Sequence, residues 1–426
     1  MKIGFVSMPL SGHLNPMTTL ARKVQSREHE VMFFGLPDCG PAVRAANLSF
    51  IPFGEKEYPV GSVAEAYRPA AKLHGLDVVR YVAGHVSPGF CRAALEYLPK
   101  KLAETDVEAL VIDTIHAFVQ LVPMQLGMPF AQIWNVLHID RSGQTPACFF
   151  SRPHETTREA LARNAEELKV INEIFAPILA VARPYAEKMG LQIDWNDPTA
   201  IVSKLAVITQ TPKEFDFPIN WPPQFHYAGP FHDDAGREEV PFPWEKLTGA
   251  PLIYASMGTL LNGMEHVYHT ILAAVGRFPE AQVVLSVGKN IKQEDLGPIP
   301  SNVIVVSRAP QIELLKHAAL CITHAGANTT LEALAHGVPM VAIPIGFDQP
   351  GMAARISYHG AGEFVEVGNL TVERLSALIH EVRTDSAYSD RARYFQEVIA
   401  QTKGLDLAAD VLVQAFQKNQ TVAIPA

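Results

Sequence analysis

The chain has little cysteine, no run of basic residues, and no apolar stretch long enough to cross a bilayer. Cys39, Cys91, Cys148 and Cys321 are widely spaced, and no C-x-x-C occurs. They read as reduced thiols of a cytosolic protein, not as a disulfide framework. The formal net charge is −9, which argues against a nucleic-acid surface. The longest apolar stretch, near Phe118 to Leu137, is broken by Pro123, Gly127 and Pro129. It predicts helix, turn and buried strand, whereas a spanning helix needs about 20 apolar residues. The first residues, MKIGFVSMPLSGHLNP, hold too short an apolar core for a signal peptide. No metal-ligand spacing stands out: His266 and His269 are three apart with no third ligand in view. The expectation is a cytoplasmic protein, a monomer or weak dimer, with peripheral membrane contact left open.

What is present is a globular composition, 48% apolar and 19% charged over 426 residues, enough for two to three domains with large cores. Lys2–Ser7 reads as a first buried strand, followed by a loop, Ser11 to Pro16, in which Asn15 caps a helix with Pro16 at its first position. Met17, Leu20, Ala21 and Val24 form a helical stripe. Further strands are expected at 29–36, 48–53, 109–113, 130–134 and, last of this half, 205–209. Residues of about 58–98 and 140–187 interrupt the alternation and read as inserted helices and loops lining a pocket. The proline-dense stretch Thr211 to Trp244, with a charged patch at Asp233 to Glu239, reads as a connection. A second alternation has strands at 252–256, 283–287, 303–306, 320–323 and 340–343, and the chain ends in helix. Strand–helix alternation in both halves predicts α/β architecture with parallel sheets.

The densest chemistry lies between Ser307 and Arg355. An apolar run ending at Thr323–His324 leads through Ala-Gly-Ala-Asn-Thr-Thr into a helical run, and Gly337-Val338-Pro339 precedes another apolar run. Strand, small-residue turn and helix place backbone N–H groups and a helix dipole where an anion binds. Gly326 permits close approach, while His324, Asn328 and Thr329 add donors. Glu332, one turn beyond Asn328, is an acceptor suited to a ribose diol. Asp348-Gln349, after the next strand, offers an acceptor and an amide to sugar hydroxyls. Each piece also has a purely structural reading: Thr329 to Glu332 fits a capping box, His324 a packed histidine, Asp348-Gln349 a helix cap.

Together these residues resemble the donor-binding signature of the UDP-dependent glycosyltransferases of family 1. The pattern is carried by Arg308, Pro310, Gln311, Thr323, His324, Gly326, Asn328, Thr329, Glu332, Gly337, Val338, Pro339, Asp348 and Gln349. The surrounding text is similar to the bacterial branch containing zeaxanthin and macrolide glycosyltransferases. The resemblance implies a GT-B fold, two facing Rossmann-like domains with a deep cleft. It puts an acceptor domain at 1–225 and a UDP-sugar domain at 226–401, with the last helix, about 402–426, packing back on the first domain. It also implies donor contacts from Gly12, Ser256, Gly258, Thr259, Arg308, Ala309 and Gln311. Plant members have tryptophan at the position of Arg308, where it stacks on uracil; a guanidinium plane can stack too.

Ser11, Gly12, His13, Asn15 and Pro16 are similar to the family's setting for the catalytic base, and Val111 and Asp113 to that of its partner. Histidine suits general-base work near neutral pH, with a carboxylate to fix its tautomer. His116 and His138 compete in this pairing. The implied reaction is inverting transfer of a sugar, first guess glucose from UDP-glucose, to a hydroxyl of an apolar small molecule, with no obligatory metal or other cofactor. Phe90, Trp134, Phe149 and Phe150 are candidates for the acceptor pocket, or ordinary core. A phenolic or flavonoid, a carotenoid and a macrolide are all open as acceptor. Two other readings are a UDP-sugar 2-epimerase on the same fold and a non-catalytic nucleotide-sugar binder.

Overall fold

The computed structural model describes residues 1–232 and 240–422; the charged patch 233–239 and the last four residues lie outside them. Two all-parallel sheets organise the chain. The first contains β1 (Lys2–Val6), β2 (Glu30–Gly35), β3 (Ser49–Pro52), β4 (Ala109–Asp113), β5 (Phe130–Trp134), β6 (Val207–Thr209) and β7 (Phe225–Tyr227), in the order β3-β2-β1-β4-β5-β6-β7. The second contains β8 (Leu252–Ser256), β9 (Gln282–Ser286), β10 (Val303–Val306), β11 (Ala318–Thr323), β12 (Met340–Ala342) and β13 (Gly362–Phe364), in the order β10-β9-β8-β11-β12-β13. This is the GT-B arrangement of two Rossmann-like lobes around a cleft. Central strands such as β4, Ala-Leu-Val-Ile-Asp, are buried throughout, as continuous apolar runs in covered parallel sheets must be.

Two edge strands were not legible in the sequence. β6 is not the last strand of the first sheet, because β7 pairs with it, Val207 opposite Phe225. A boundary between residues 225 and 226 therefore falls within β7. β13 pairs with β12, Met340 opposite Gly362. Each has three residues, too few to show a period of two.

The first helix also differs from expectation. It spans Ser11–Gln25 with Leu10 at its N-cap and Pro16 inside, so Asn15 is no cap and His13 belongs to a helix, not a loop. At the far end, the helix Gly404–Lys418 buries Ala408, Val411, Leu412, Ala415 and Phe416 in one cluster with Ile3, Phe5, Leu14 and Met17 of the first lobe. Lys23 and Arg27 pair with Asp406 at 2.7 and 3.0 Å. The inserted helices 62–103 pack on the first sheet's apolar face and reach the second lobe, Gly75 N–H donating to Ile345 O at 2.6 Å and Gly263 N–H to Ala71 O at 3.0 Å.

In each sheet the winding direction reverses at one place: β1 lies between β2 and β4, and β8 between β9 and β11. Ligands bind at the carboxyl ends of strands at such switch points. The two switch points face each other across the cleft.

Candidate active site

A cleft of about 1160 Å³ runs between the lobes. On the first lobe, β1 ends in Val6 and the chain turns through Ser7 and Met8 into the helix that carries His13. His13 Nδ1 lies 2.9 Å from Asp113 Oδ2 at the end of β4. Ser7 Oγ donates to the same oxygen at 2.8 Å. Asp113 is fully buried and His13 is 7% exposed. A carboxylate only accepts, so Nδ1 carries the hydrogen and Nε2 keeps its lone pair. Burial opposes charge on His13, yet the Asp113 carboxylate and its hydrogen bond, with Asp348 nearby, outweigh it and raise the pKa above 6.5. Burial opposes charge on Asp113 too, but His13, Ser7 and Asn135 hold its carboxyl below the usual range.

Of the three histidines considered, only His13 has a ring nitrogen hydrogen-bonded to Asp113 among the described residues. His138 Nε2 donates to Asp216 Oδ2 at 2.8 Å. His116 lines the cleft, and burial pushes its pKa down to about 4.

On the second lobe, the helix Ala327–Ala335 starts at the N-cap Gly326 with no side chain capping it. The capping-box reading therefore fails: Glu332 Oε2 instead accepts from Gln311 Nε2 at 2.6 Å, and Gln311 Oε1 accepts from Tyr254 OH at 3.0 Å. Uncapped first-turn N–H groups and the helix dipole there can receive an anion from the cleft. His324 lies beside it with Gly258 and Gly326 against its ring. Burial pushes its pKa to about 4, the Ser256 backbone opposing, so it is a neutral donor at pH 7.

Several of these groups already touch the opposite lobe. Asn328 Nδ2 donates to Gly12 O at 3.0 Å, and Ser11 Oγ lies 3.0 Å from Thr259 Oγ1. Asp348 Oδ2 accepts from Leu137 N–H at 2.9 Å. Gln349 Oε1 accepts from Ile345 and Gly346 N–H at 2.9 and 3.1 Å, which leaves its NH₂ group for other partners. Burial raises the Asp348 pKa, with Leu137 N–H and His13 opposing.

Gly12, His13, Ser256, Gly258, Thr259, Arg308, Ala309, Gln311, His324, Gly326, Asn328, Thr329, Glu332, Asp348 and Gln349 all line this one cleft. Of the four aromatic candidates only Phe90 does; Trp134, Phe149 and Phe150 lie outside its lining. Phe149 packs edge-on against Phe175 at 5.8 Å and, with Phe150, against a core cluster that draws on both lobes. The apolar wall is instead built by Met8, Leu10, Tyr67, Val82, Ile115 and Phe347. Asn135 and Gln210, joined by a 3.0 Å hydrogen bond, were also missed. Both follow the carboxyl ends of strands, β5 and β6, the same signal that marked Asp113 at the end of β4. Among the described residues, no group of three or more His, Cys, Asp or Glu could hold a metal ion, and no helix is long and apolar enough to cross a membrane.

The family described as UDP-glucoronosyl and UDP-glucosyl transferase matches residues 183–408, more than half of the chain. The chain belongs to this family. This UDP-glycosyltransferase is similar along its length to several bacterial relatives. It is 26% identical to a zeaxanthin glucosyltransferase of Pantoea ananas, over 98% of this chain and 96% of that one. It is 27% identical to the NDP-glycosyltransferase YjiC of Bacillus subtilis, over 99% and 98%. Among solved structures, the glycotransferase of kitacinnamycin superposes with a TM-score of 0.73 at 23% identity, covering 97% of this glycosyltransferase and 99% of that protein.

Proposed function

We propose that the enzyme transfers a sugar, glucose first among candidates, from UDP-sugar to a hydroxyl of an apolar small molecule with inversion. The observation that carries this reading is the His13–Asp113 pair at 2.9 Å, in the same cleft as the uncapped helix start at Gly326. His13 Nε2 takes the proton of the acceptor hydroxyl. The acceptor oxygen forms a bond to the anomeric carbon as that carbon's bond to the phosphate oxygen breaks. UDP leaves with the electron pair, and its new charge meets the helix N-terminus, His324 and Thr259. A single displacement inverts the anomeric centre.

Arg308 stacks its guanidinium on the base, and Glu332, braced by Gln311, accepts from the ribose hydroxyls. Asp348 and Gln349 hold the sugar hydroxyls. The apolar wall, with Phe90 the only sequence candidate in it, suits a phenolic, a polyene alcohol or a macrolide. The zeaxanthin glucosyltransferase similar to this chain along its length supports that class. Four free, buried cysteines fit a reducing compartment, the cytoplasm.

The test is UDP release from UDP-glucose, with product mass, across flavonoid, phenol, macrolide and carotenol acceptors, for the parent and His13→Ala. Acceptor-dependent release with one added hexose, lost in the variant, is expected. Release or sugar isomerisation without acceptor, unchanged in the variant, would overturn the base assignment and favour the epimerase reading.

A further inference from the structure

The helix Gln349–Tyr358 belongs to the second lobe by sequence, yet the first lobe holds it along its length. At its start, Leu137 N–H donates to Asp348 Oδ2 at 2.9 Å. In its first turn, Gly351 N–H donates to Cys148 O at 2.8 Å, and a Cβ on Gly351 would stand 2.7 Å from Cys148 Cα, so only glycine allows this approach. Further along, Arg355 donates from Nε and Nη2 to Asp216 Oδ1 at 3.0 and 2.7 Å, and from Nη1 to Gly351 O at 3.1 Å. Its guanidinium lies 4.0 Å from the centre of the Phe217 ring. The other carboxylate oxygen of Asp216 accepts from His138 Nε2 at 2.8 Å and Tyr227 OH at 2.5 Å.

Leu137 and His138 are consecutive. One short segment after β5 thus grips Asp348 directly and Arg355 through Asp216. Arg355 is 2% exposed, and Asp216 and His138 are 4% exposed. A buried ion pair seldom adds stability over apolar packing, because both charges lose their water. What a forked guanidinium–carboxylate contact does supply is a fixed geometry.

We propose that Arg355 and Asp216 are positioning residues that set Asp348 and Gln349 in register with His13 across the lobe interface. This rests on the reading that Asp348 and Gln349 hold the donor sugar. The nucleotide is gripped elsewhere, by the helix Ala327–Ala335 and by residues 308–311. Loosening the clamp therefore leaves UDP affinity intact and misplaces the anomeric carbon, and a displacement of about 1 Å can cost on the order of 10²-fold in rate.

The test compares the parent with Arg355→Lys, which keeps the charge and loses the fork, and Asp216→Asn, which keeps the shape. UDP affinity is measured by calorimetry, and kcat/KM and the share of sugar lost to water are measured with UDP-glucose. Expected are UDP affinity within about twofold of the parent, kcat/KM for the donor down at least about tenfold, and a larger share of hydrolysis. A folded variant with unchanged donor kcat/KM, or with UDP affinity lost in proportion, overturns the proposal. Hydrogen exchange on the parent tests it without any variant. Amides of the helix 349–358 should already be protected in the ligand-free enzyme; rapid exchange that UDP-glucose suppresses would overturn a standing clamp. A parent that neither binds UDP nor uses any UDP-sugar refutes the functional reading itself, a distinct result.

Discussion

Asn328 Nδ2 donates to the Gly12 carbonyl across the cleft at 3.0 Å, and Pro16 leaves that carbonyl without its usual partner. In a helix the N–H of residue i bonds the carbonyl of residue i−4, so the donor to Gly12 would come from residue 16, which has none. Pro16→Ala restores a competing N–H. It should raise the melting temperature, since proline in a helix interior costs about 3 kcal/mol relative to alanine. It should also raise the donor KM by drawing Gly12 away from Asn328. Melting curves and donor saturation curves check both; an unchanged KM would mean the contact between the lobes is incidental.

The proposed catalytic pair, His13 and Asp113, predicts a pH signature. A general base must be neutral, so kcat/KM should fall as pH drops through the raised pKa of His13, above 6.5. In Asp113→Asn the burial of His13 is no longer outweighed to the same degree, so the acid limb should move to lower pH. The plateau rate should drop by about 10²–10⁴-fold as the imidazolium loses its partner. The stability linkage runs the other way. Raised His13 stabilises below its unfolded pKa of about 6.5, lost as pH rises through the folded value; lowered Asp113 stabilises above about 3.9, lost as pH falls through its own. The pair's stabilisation is thus full between about pH 3.9 and 6.5, where activity declines. An acid limb that stays put in Asp113→Asn would separate Asp113 from the base.

Gly258 has φ +76°, and a Cβ there would stand 2.6 Å from His324 Nε2. Gly258→Ala must both adopt a left-handed backbone, at about 1–2 kcal/mol, and displace the histidine. UDP affinity should fall by at least about tenfold, equivalent to 1.4 kcal/mol, with only a modest loss of thermal stability. Calorimetry with UDP beside a melting curve checks this, and full UDP affinity would show that His324 does not meet the donor.

Phe90 and Phe149 test where the proposed acceptor wall lies. Phe90 lines the cleft against Tyr58, ring centres 5.0 Å apart. Phe90→Ala should enlarge the wall, raise the KM of a small acceptor, admit bulkier ones and, because Phe90 is 2% exposed, lower stability as well. Phe149→Ala, at a half-buried position, should lower stability by less than the about 3–5 kcal/mol typical of buried Phe and leave acceptor KM alone. Acceptor KM values for the two variants decide; a rise in Phe149→Ala with none in Phe90→Ala would relocate the acceptor pocket.

Long-range pattern was readable. Continuous apolar runs marked the central strands, because a strand covered on both faces has little choice of residue. The turn from Thr323 to Glu332 marked a strand-to-helix junction, and the helix does start there, at Gly326, with no side chain capping it. Short edge strands escaped, as did the true start of the helix at Ser11, where Pro16 pointed to a boundary that lies five residues earlier. Trp134, Phe149 and Phe150 were as aromatic as Phe90, and nothing local distinguished a cleft wall from a core.

By itself the sequence determined the two parallel sheets, the family and which residue types stand at the carboxyl ends of the strands, because these follow from local periodicity, turn chemistry and motif. Only the tertiary structure decided which histidine meets Asp113. It also decided that His138 and Arg355 share Asp216, and that Gly12 and Asn328 join the lobes. Those pairings link residues far apart in the chain, and side-chain direction at contact distance is set by how the two lobes pack.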